Sequence, residues 1–218
     1  MSDIFREVDE DVRRDKAAEF WKKYQTHIIA AAALIVLASA GWRFYEYQRE
    51  QTAQAAGAQF EQAMELDRSG KAADASTVLA KMTAAGPNGY RILARFGEAA
   101  LLSKTDPTGA VAAYDALAQD VSVGPLFQET ARLRAALLRM DAGQAEAKTA
   151  LEALAAPTGA YRHTARVMLG VEALAAQDYD NAGKWLDMAV ADPEAPQSVR
   201  QSADLLLGLV SSGKPAAK

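Results

Sequence analysis

LGVEALAAQDYDNAGKWLDMAVADP, residues 169–193, reads as two short helices joined by a turn. Leu169-Gly170 lies in the first helix, Gln177-Asp178 marks the turn, and Tyr179, Ala182, Leu186 and Ala189 lead the second helix towards Pro193. The run Ala182, Leu186, Ala189 is small-x3-large-x2-apolar, a spacing that keeps all three on one helix face. A small residue lets paired helices approach to ~8 Å, and a large residue four positions on fills the gap to the next pair.

The same run occurs three times upstream: Ala75, Leu79, Met82; Ala110, Tyr114, Leu117; and Ala147, Leu151, Leu154. Its leading alanines are spaced by 35, 37 and 35 residues. Short turns at Ser69-Gly70, 105–108, 141–143 and Gln177-Asp178 alternate with proline loops at Gly86-Pro87, Gly124-Pro125, 157–159 and 193–196. No window shows the period-two alternation of a strand, so the fold class is all-α. One helix pair per unit in the mid-thirties predicts a tetratricopeptide-like helical-hairpin solenoid rather than ankyrin or HEAT units. Ala63 and Gly97 take the small position of the first helix in units one and two, and residues 197–210 read as the solvating cap helix that a repeat array requires.

Ahead of the array, Tyr24 to Trp42 is a run of 19 residues without Asp, Glu, Lys or Arg. At ~1.5 Å per residue it reaches roughly 28 Å, close to the ~30 Å of a bilayer's hydrocarbon core. Its strongest apolar residues are Ile28, Ile29, Leu34, Ile35, Val36 and Leu37, which together favour insertion by only about 2–4 kcal/mol. Arg6, Arg13, Arg14, Lys16, Lys22 and Lys23 precede the run, whereas Arg43 and Arg49 alone follow it closely, so the N-terminus is expected on the cytoplasmic side. Trp21 and Tyr24 at one edge and Trp42, Phe44, Tyr45 and Tyr47 at the other fit an aromatic belt. Ala38-Ser39-Ala40 also forms an A-x-A site, so a cleaved signal peptide is the competing reading. Against it, the preceding region is long and carries Asp3, Glu7, Asp9, Glu10, Asp11, Asp15 and Glu19, unlike the short basic start of a signal.

The expected organisation is a cytoplasmic tail at 1–23, a transmembrane helix at 24–44, a periplasmic repeat domain at 45–210 and a flexible tail at 211–218. Within the first tail, Ile4, Phe5, Val8, Val12, Phe20 and Trp21 fall near helical spacing, which leaves open a docking helix or a solvated tail that supplies orientation charges. A net charge of −4 gives no support to a nucleic-acid partner. The absence of Cys excludes disulfides, thiolate catalysis and Cys-ligated metals.

No catalytic pattern emerges. His27 and His163 are far apart and have no partner at metal-ligand spacing, glycines occur singly at turns, and Asp178 and Asp180 belong to a turn. The expectation is a non-enzymatic protein without cofactor or metal. Binding is assigned to the groove lined by the first helices, with Phe60, Met64, Arg91, Glu98, Leu101, Arg132, Arg139, Val167, Val171 and Leu174 as its candidate residues. The arginines either pair with carboxylates of an extended ligand or are ordinary solvated residues; both readings stand at this stage.

The tail, the single helix ending in Gly41-Trp42-Arg43-Phe44-Tyr45 and the degenerate repeats together resemble the ancillary SecYEG translocon subunit (YfgM-like) family. Residues 2–10 and Phe20-Trp21-Lys22-Lys23-Tyr24 look like its alphaproteobacterial branch. The resemblance implies a single-pass bacterial inner-membrane protein near the Sec exit, with the SecYEG translocon and a membrane-anchored periplasmic chaperone as partners. The alternative is a structural scaffold for cell-envelope or outer-membrane biogenesis.

Overall fold

A computed structural model describes residues 2–213, within which the side chains of residues 2–12, 17 and 28 are left undescribed. The expectations for the side chains of Ile4, Phe5, Val8, Val12 and Ile28, and for residues 214–218, therefore lie outside the described residues. The described elements are all helical: α1 (Ser2–Arg68), α2 (Ala72–Ala85), α3 (Asn88–Leu102), α4 (Pro107–Gln119), α5 (Pro125–Asp141), α6 (Glu146–Leu154), α7 (Arg162–Ala175), α8 (Tyr179–Val190) and α9 (Gln197–Gly213). A 3-10 turn at Val121–Val123 precedes α5, and α9 runs on past Val210 to Gly213.

The chain divides into two compact units, Met1–Ala55 and Ala56–Lys218. In the first, the uncharged run is helical, and Leu34, Ile35, Val36 and Leu37 are all between 66 and 69 % exposed. The stretch Ile29–Arg68 contains a window long and apolar enough to cross a membrane, and no part of that window is buried. The hydroxyl of Ser39, a polar group in this run, donates to the carbonyls of Ile35 and Val36, so it carries no unmet hydrogen bond.

In the second unit, all twelve positions of the small-x3-large-x2-apolar run are buried, none more than 5 % exposed. Ten of them join four core clusters, each shared by three consecutive α-helices. Ala63 of α1, Leu79 and Met82 of α2 and Ala94 and Leu101 of α3 form the first. Ala99 of α3, Tyr114 and Leu117 of α4 and Ala131 and Ala135 of α5 form the second. Leu133 and Ala136 of α5, Leu151 and Leu154 of α6 and Ala165 and Leu169 of α7 form the third. Val167 of α7, Ala182, Leu186 and Ala189 of α8 and Ala203 and Val210 of α9 form the fourth.

α3, α5 and α7 thus each have two buried faces, and the clusters decide which small residue belongs to which. Ala99, packed with Tyr114 of its own pair, is the counterpart of Gly170 beneath Leu186. Gly97, expected in that role, instead faces the preceding pair: a Cβ there would lie 3.0 Å from Leu79 Cδ1. Placed on this register, the first helices repeat apolar-x2-small as Phe60/Ala63, Phe96/Ala99, Leu133/Ala136 and Val167/Gly170.

Three of the short turns share one device. The backbone N–H of Lys71, Gln144 and Asp178 donates to the carbonyl five residues back, on Leu66, Arg139 and Ala173, at 2.8, 2.9 and 2.8 Å. This closure needs a left-handed residue, and Gly70, Gly143 and Gln177 supply it with φ of 78°, 66° and 59°. Gln177 has a Cβ where its counterparts have none. Gln177→Gly is therefore expected to raise stability by about 0.5–1 kcal/mol, read from urea unfolding. The remaining turn ends differently: Asp106 caps α4 by accepting from Gly109 N–H at 2.9 Å, with Pro107 in the first helical turn.

Candidate partner-binding groove

The ten groove candidates do not converge on one cleft. Arg91 is exposed, hydrogen-bonds the Asn88 side chain and lines a cleft of about 250 Å³ with Arg95, Ile92, Thr83 and Ser122. Glu98 and Leu101 line a second cleft, of about 380 Å³, beside Ala72, Ser76 and Leu102 of α2 and α3. Val167 borders a third, of about 230 Å³, between α7 and α9. Arg132 is exposed and reaches towards the Ala118 carbonyl at 3.5 Å, while Arg139 is tied to Asp115 of α4. Phe60 and Met64 pack on the first core cluster and Leu174 on the fourth; Leu101 and Val167 are core residues, 9 % and 6 % exposed. Val171 is half-buried.

The reason is helical geometry. Positions three before and four after a small residue share its face, and that face receives the second helix of the pair. Phe60, Val167 and Leu174 stand at those offsets from Ala63 and Gly170, which directs them to packing within the pair rather than to a groove. Arg91 and Arg132 are the exposed candidates, while Glu98, like Arg139, is half-buried. Burial raises the pKa of Glu98, partly offset by nearby groups including Arg95, so its cleft favours the protonated acid more than water does.

Sequence reading missed the strongest electrostatic feature, at the α7–α8 ends. Asp192, just past α8, accepts from Arg162 Nε at 3.0 Å and Arg166 Nη1 at 2.9 Å, and its other oxygen accepts from Glu194 N–H at 3.0 Å. Arg166 is 5 % exposed, and the same Nη1 also donates to the Met188 carbonyl, so the α8 terminus holds the buried guanidinium through that nitrogen while its Nε finds no hydrogen-bond partner among the described residues. Arg162 also pairs with Glu194. His163 Nδ1 lies 3.5 Å from the same Asp192 oxygen, yet without hydrogen-bonding geometry. Burial, then the Arg162 charge, lowers the His163 pKa, which makes it a neutral packing residue. Among the described residues no group of three or more His, Cys, Asp or Glu is placed to hold a metal ion.

A comparable tie joins α3 to the end of α4, where Arg95 donates to Asp120 at 2.6 Å. Hydrogen bonds from the Ser122 hydroxyl, then from Arg95, lower the Asp120 pKa to about 2. Hydrogen bonding by Arg162 places Asp192 well below the usual carboxylate range as well. A carboxylate with a depressed folded pKa contributes stability that is present above its unfolded value and lost as pH falls through the folded one. The melting temperature is therefore expected to fall as pH drops from about 4 towards 2. A chain with Asp120→Asn and Asp192→Asn should melt lower at pH 7 and show a shallower fall over that window.

Polar ties also run from one pair to the next. Lys104 meets Asp67 at 2.6 Å, the Tyr161 and Thr130 hydroxyls meet at 2.7 Å, and Glu129 accepts from Ala160 N–H at 2.8 Å. The unit is thus a set of stacked helix pairs with shallow clefts, suited to holding a protein segment against several pairs at once.

Residues 18–161 match the sequence model of the tetratricopeptide repeat-like domain, a span that takes in the uncharged run and the first three helix pairs. No curated protein and no solved structure matches the chain.

Proposed function

The chain belongs to the tetratricopeptide repeat-like domain family, whose repeats serve protein–protein interaction, and from that membership we propose a non-enzymatic inner-membrane adaptor. In this reading one N-in helix anchors a periplasmic repeat array near the Sec translocon exit, where it links emerging chains to a membrane-anchored chaperone. One observation carries the proposal: a repeat array shares its chain with an uncharged helical run whose apolar window is wholly unburied among the described residues. A helix apolar all round is stable only when buried, and a bilayer offers that burial. The family match running through the uncharged run supports reading it as part of the protein rather than as a leader. The basic residues ahead of that run support the orientation, and the Gly41-Trp42-Arg43-Phe44-Tyr45 exit supports the translocon neighbourhood.

Affinity purification of the full chain from membranes in mild detergent tests the partners. Enrichment of SecYEG with a periplasmic chaperone is the expected result; envelope-assembly proteins without the translocon would instead favour the scaffold reading. Protease added to spheroplasts should digest the repeat array, and its protection would overturn the topology. For the groove, Arg132→Ala with Arg139→Ala is expected to reduce recovered partner several-fold, through Arg132 chiefly, because Arg139 already has Asp115. Unchanged recovery would remove this surface from the proposal.

A further inference from the structure

The second and fourth helix pairs carry the same charged device, and one carboxylate of it is missing from the second. With Ala99 set on Gly170, Arg91 and Arg95 of α3 stand at the places of Arg162 and Arg166 of α7, 71 residues on. The α7–α8 turn is one residue longer, since Asp178 N–H donates five residues back to Ala173 where Asp106 N–H donates four back to Leu102. Past the second helices the match is therefore 72 residues on, and Asp120 and Ser122 stand at the places of Asp192 and Glu194. The backbone agrees: Ser122 N–H donates to Asp120 Oδ1 at 2.9 Å, and Glu194 N–H to Asp192 Oδ1 at 3.0 Å. The next N–H, of Val123 or Ala195, donates to the carbonyl of the same aspartate, and both side chains are buried. Residues 122 and 194 thus leave equivalent turns.

The inner arginines are served alike, Arg95 by Asp120 and Arg166 by Asp192. The outer ones are not. Arg162 is held by both Asp192 and Glu194, whereas Arg91 donates to the Asn88 side chain and meets no carboxylate among the described residues. Glu98, the remaining carboxylate of α3, lines the other cleft and lies near Arg95. The cleft of about 250 Å³ opens between Arg91, Arg95 and Ser122, so the second pair has an opening where the fourth has the Glu194 carboxylate. From the reading of the array as a protein-binding unit, we propose that this cleft takes an Asp or Glu side chain of an extended protein ligand, which meets Arg91 as Glu194 meets Arg162. Arg95 already compensates Asp120, and the amide NH₂ of Asn88 adds a donor beside the guanidinium.

Fluorescence anisotropy of rhodamine-labelled, C-terminally amidated peptides, titrated with the full chain in a non-ionic detergent, provides the test. A peptide of alternating Ala and Glu is expected to bind at least about tenfold more tightly than the same peptide with Gln for Glu. Arg91→Ala should remove that preference. Ser122→Glu should remove it too, by supplying from within the carboxylate that the fourth pair already has. Both positions are exposed, so helicity by circular dichroism should not change. Arg134→Ala, which removes an exposed arginine of α5, should keep the preference. Equal binding of the Glu and Gln peptides would overturn the proposal. So would a preference that survives Ser122→Glu, or one that Arg134→Ala removes as fully as Arg91→Ala, the sign of diffuse attraction to basic charge. Tighter binding of a Gln peptide with a free C-terminus than of the amidated Glu peptide would overturn the side-chain assignment and give the cleft to a chain end. None of these readouts contains the translocon or its chaperone, so failure here leaves the adaptor reading standing, and loss of SecYEG enrichment leaves the cleft standing.

Discussion

Leu186→Ala is expected to destabilise the repeat unit by about 2–5 kcal/mol, a large part of the 5–15 kcal/mol that holds a typical domain folded. Leu186 is 0 % exposed and sits in the cluster that joins α7, α8 and α9. Its removal leaves a cavity at the one place where those three helices meet, and stacked pairs draw stability from neighbours rather than from a common centre. The loss should therefore be local: hydrogen exchange is expected to accelerate across 162–213 well before 72–119. Gly170 gives a check on the mechanism. In the parent chain Gly170→Ala pushes a methyl group into Leu186, at 2.6 Å from Cγ and 2.7 Å from Cδ2, which costs about 1–3 kcal/mol and outweighs or cancels the roughly 1 kcal/mol gained in helix propensity. With Leu186→Ala present the methyl group enters vacated space, and the same substitution should stabilise. A double-mutant cycle measures the reversal, and additive effects would show that the two residues do not share that space. Gly97→Ala is expected near neutral, since it meets only the terminal methyl groups of Leu79, at 3.0 and 3.2 Å.

Val36→Arg is expected to abolish membrane retention. The run gains only about 2–4 kcal/mol on insertion, and an Arg at its centre costs about 2.5–3.5 kcal/mol. Val36 lies mid-run and is 66 % exposed. Carbonate extraction of membranes decides the matter: the parent chain should stay in the pellet and the variant should move to the supernatant. Retention of the variant would mean that the aromatic and basic flanks anchor the chain without the core of the run. Because the site is far in sequence from the repeats, the variant array should keep its melting temperature, which separates lost anchoring from lost folding.

The helix pairs were legible because their signal is local. Small-x3-large-x2-apolar occupies two turns of one helix, and all twelve of its residues are buried as that spacing implies. The first helices are harder to read, since α3, α5 and α7 each carry two buried faces. Only contact with Tyr114 or Leu79 distinguishes Ala99 from Gly97, and no sequence spacing encodes it. The groove set inherited that ambiguity, so residues beside a small position were read as lining when their face is the packed one. Gln177 hid its left-handed turn because Gly marks such turns at Gly70 and Gly143 and is missing here. The Asp192 centre was invisible for another reason. Its partners Arg162 and Arg166 are 30 and 26 residues away, and only the stacking of α7 on α8 brings them together.

Because every core cluster borrows its last wall from the following helix, the array sets an order in which it can take shape. A chain delivered N-terminus first can close the α1–α2 cluster only when α3 has followed, and each later cluster waits for two more helices. During delivery, the newest helix always displays an unsatisfied apolar flank, so a partly emerged chain offers one sticky edge at a time rather than many. The contacts to be made are between near neighbours in sequence, which keeps each wait short and the search for the correct partner small. A stalled chain would hold its finished part folded, with the exposed edge marking how far delivery had gone.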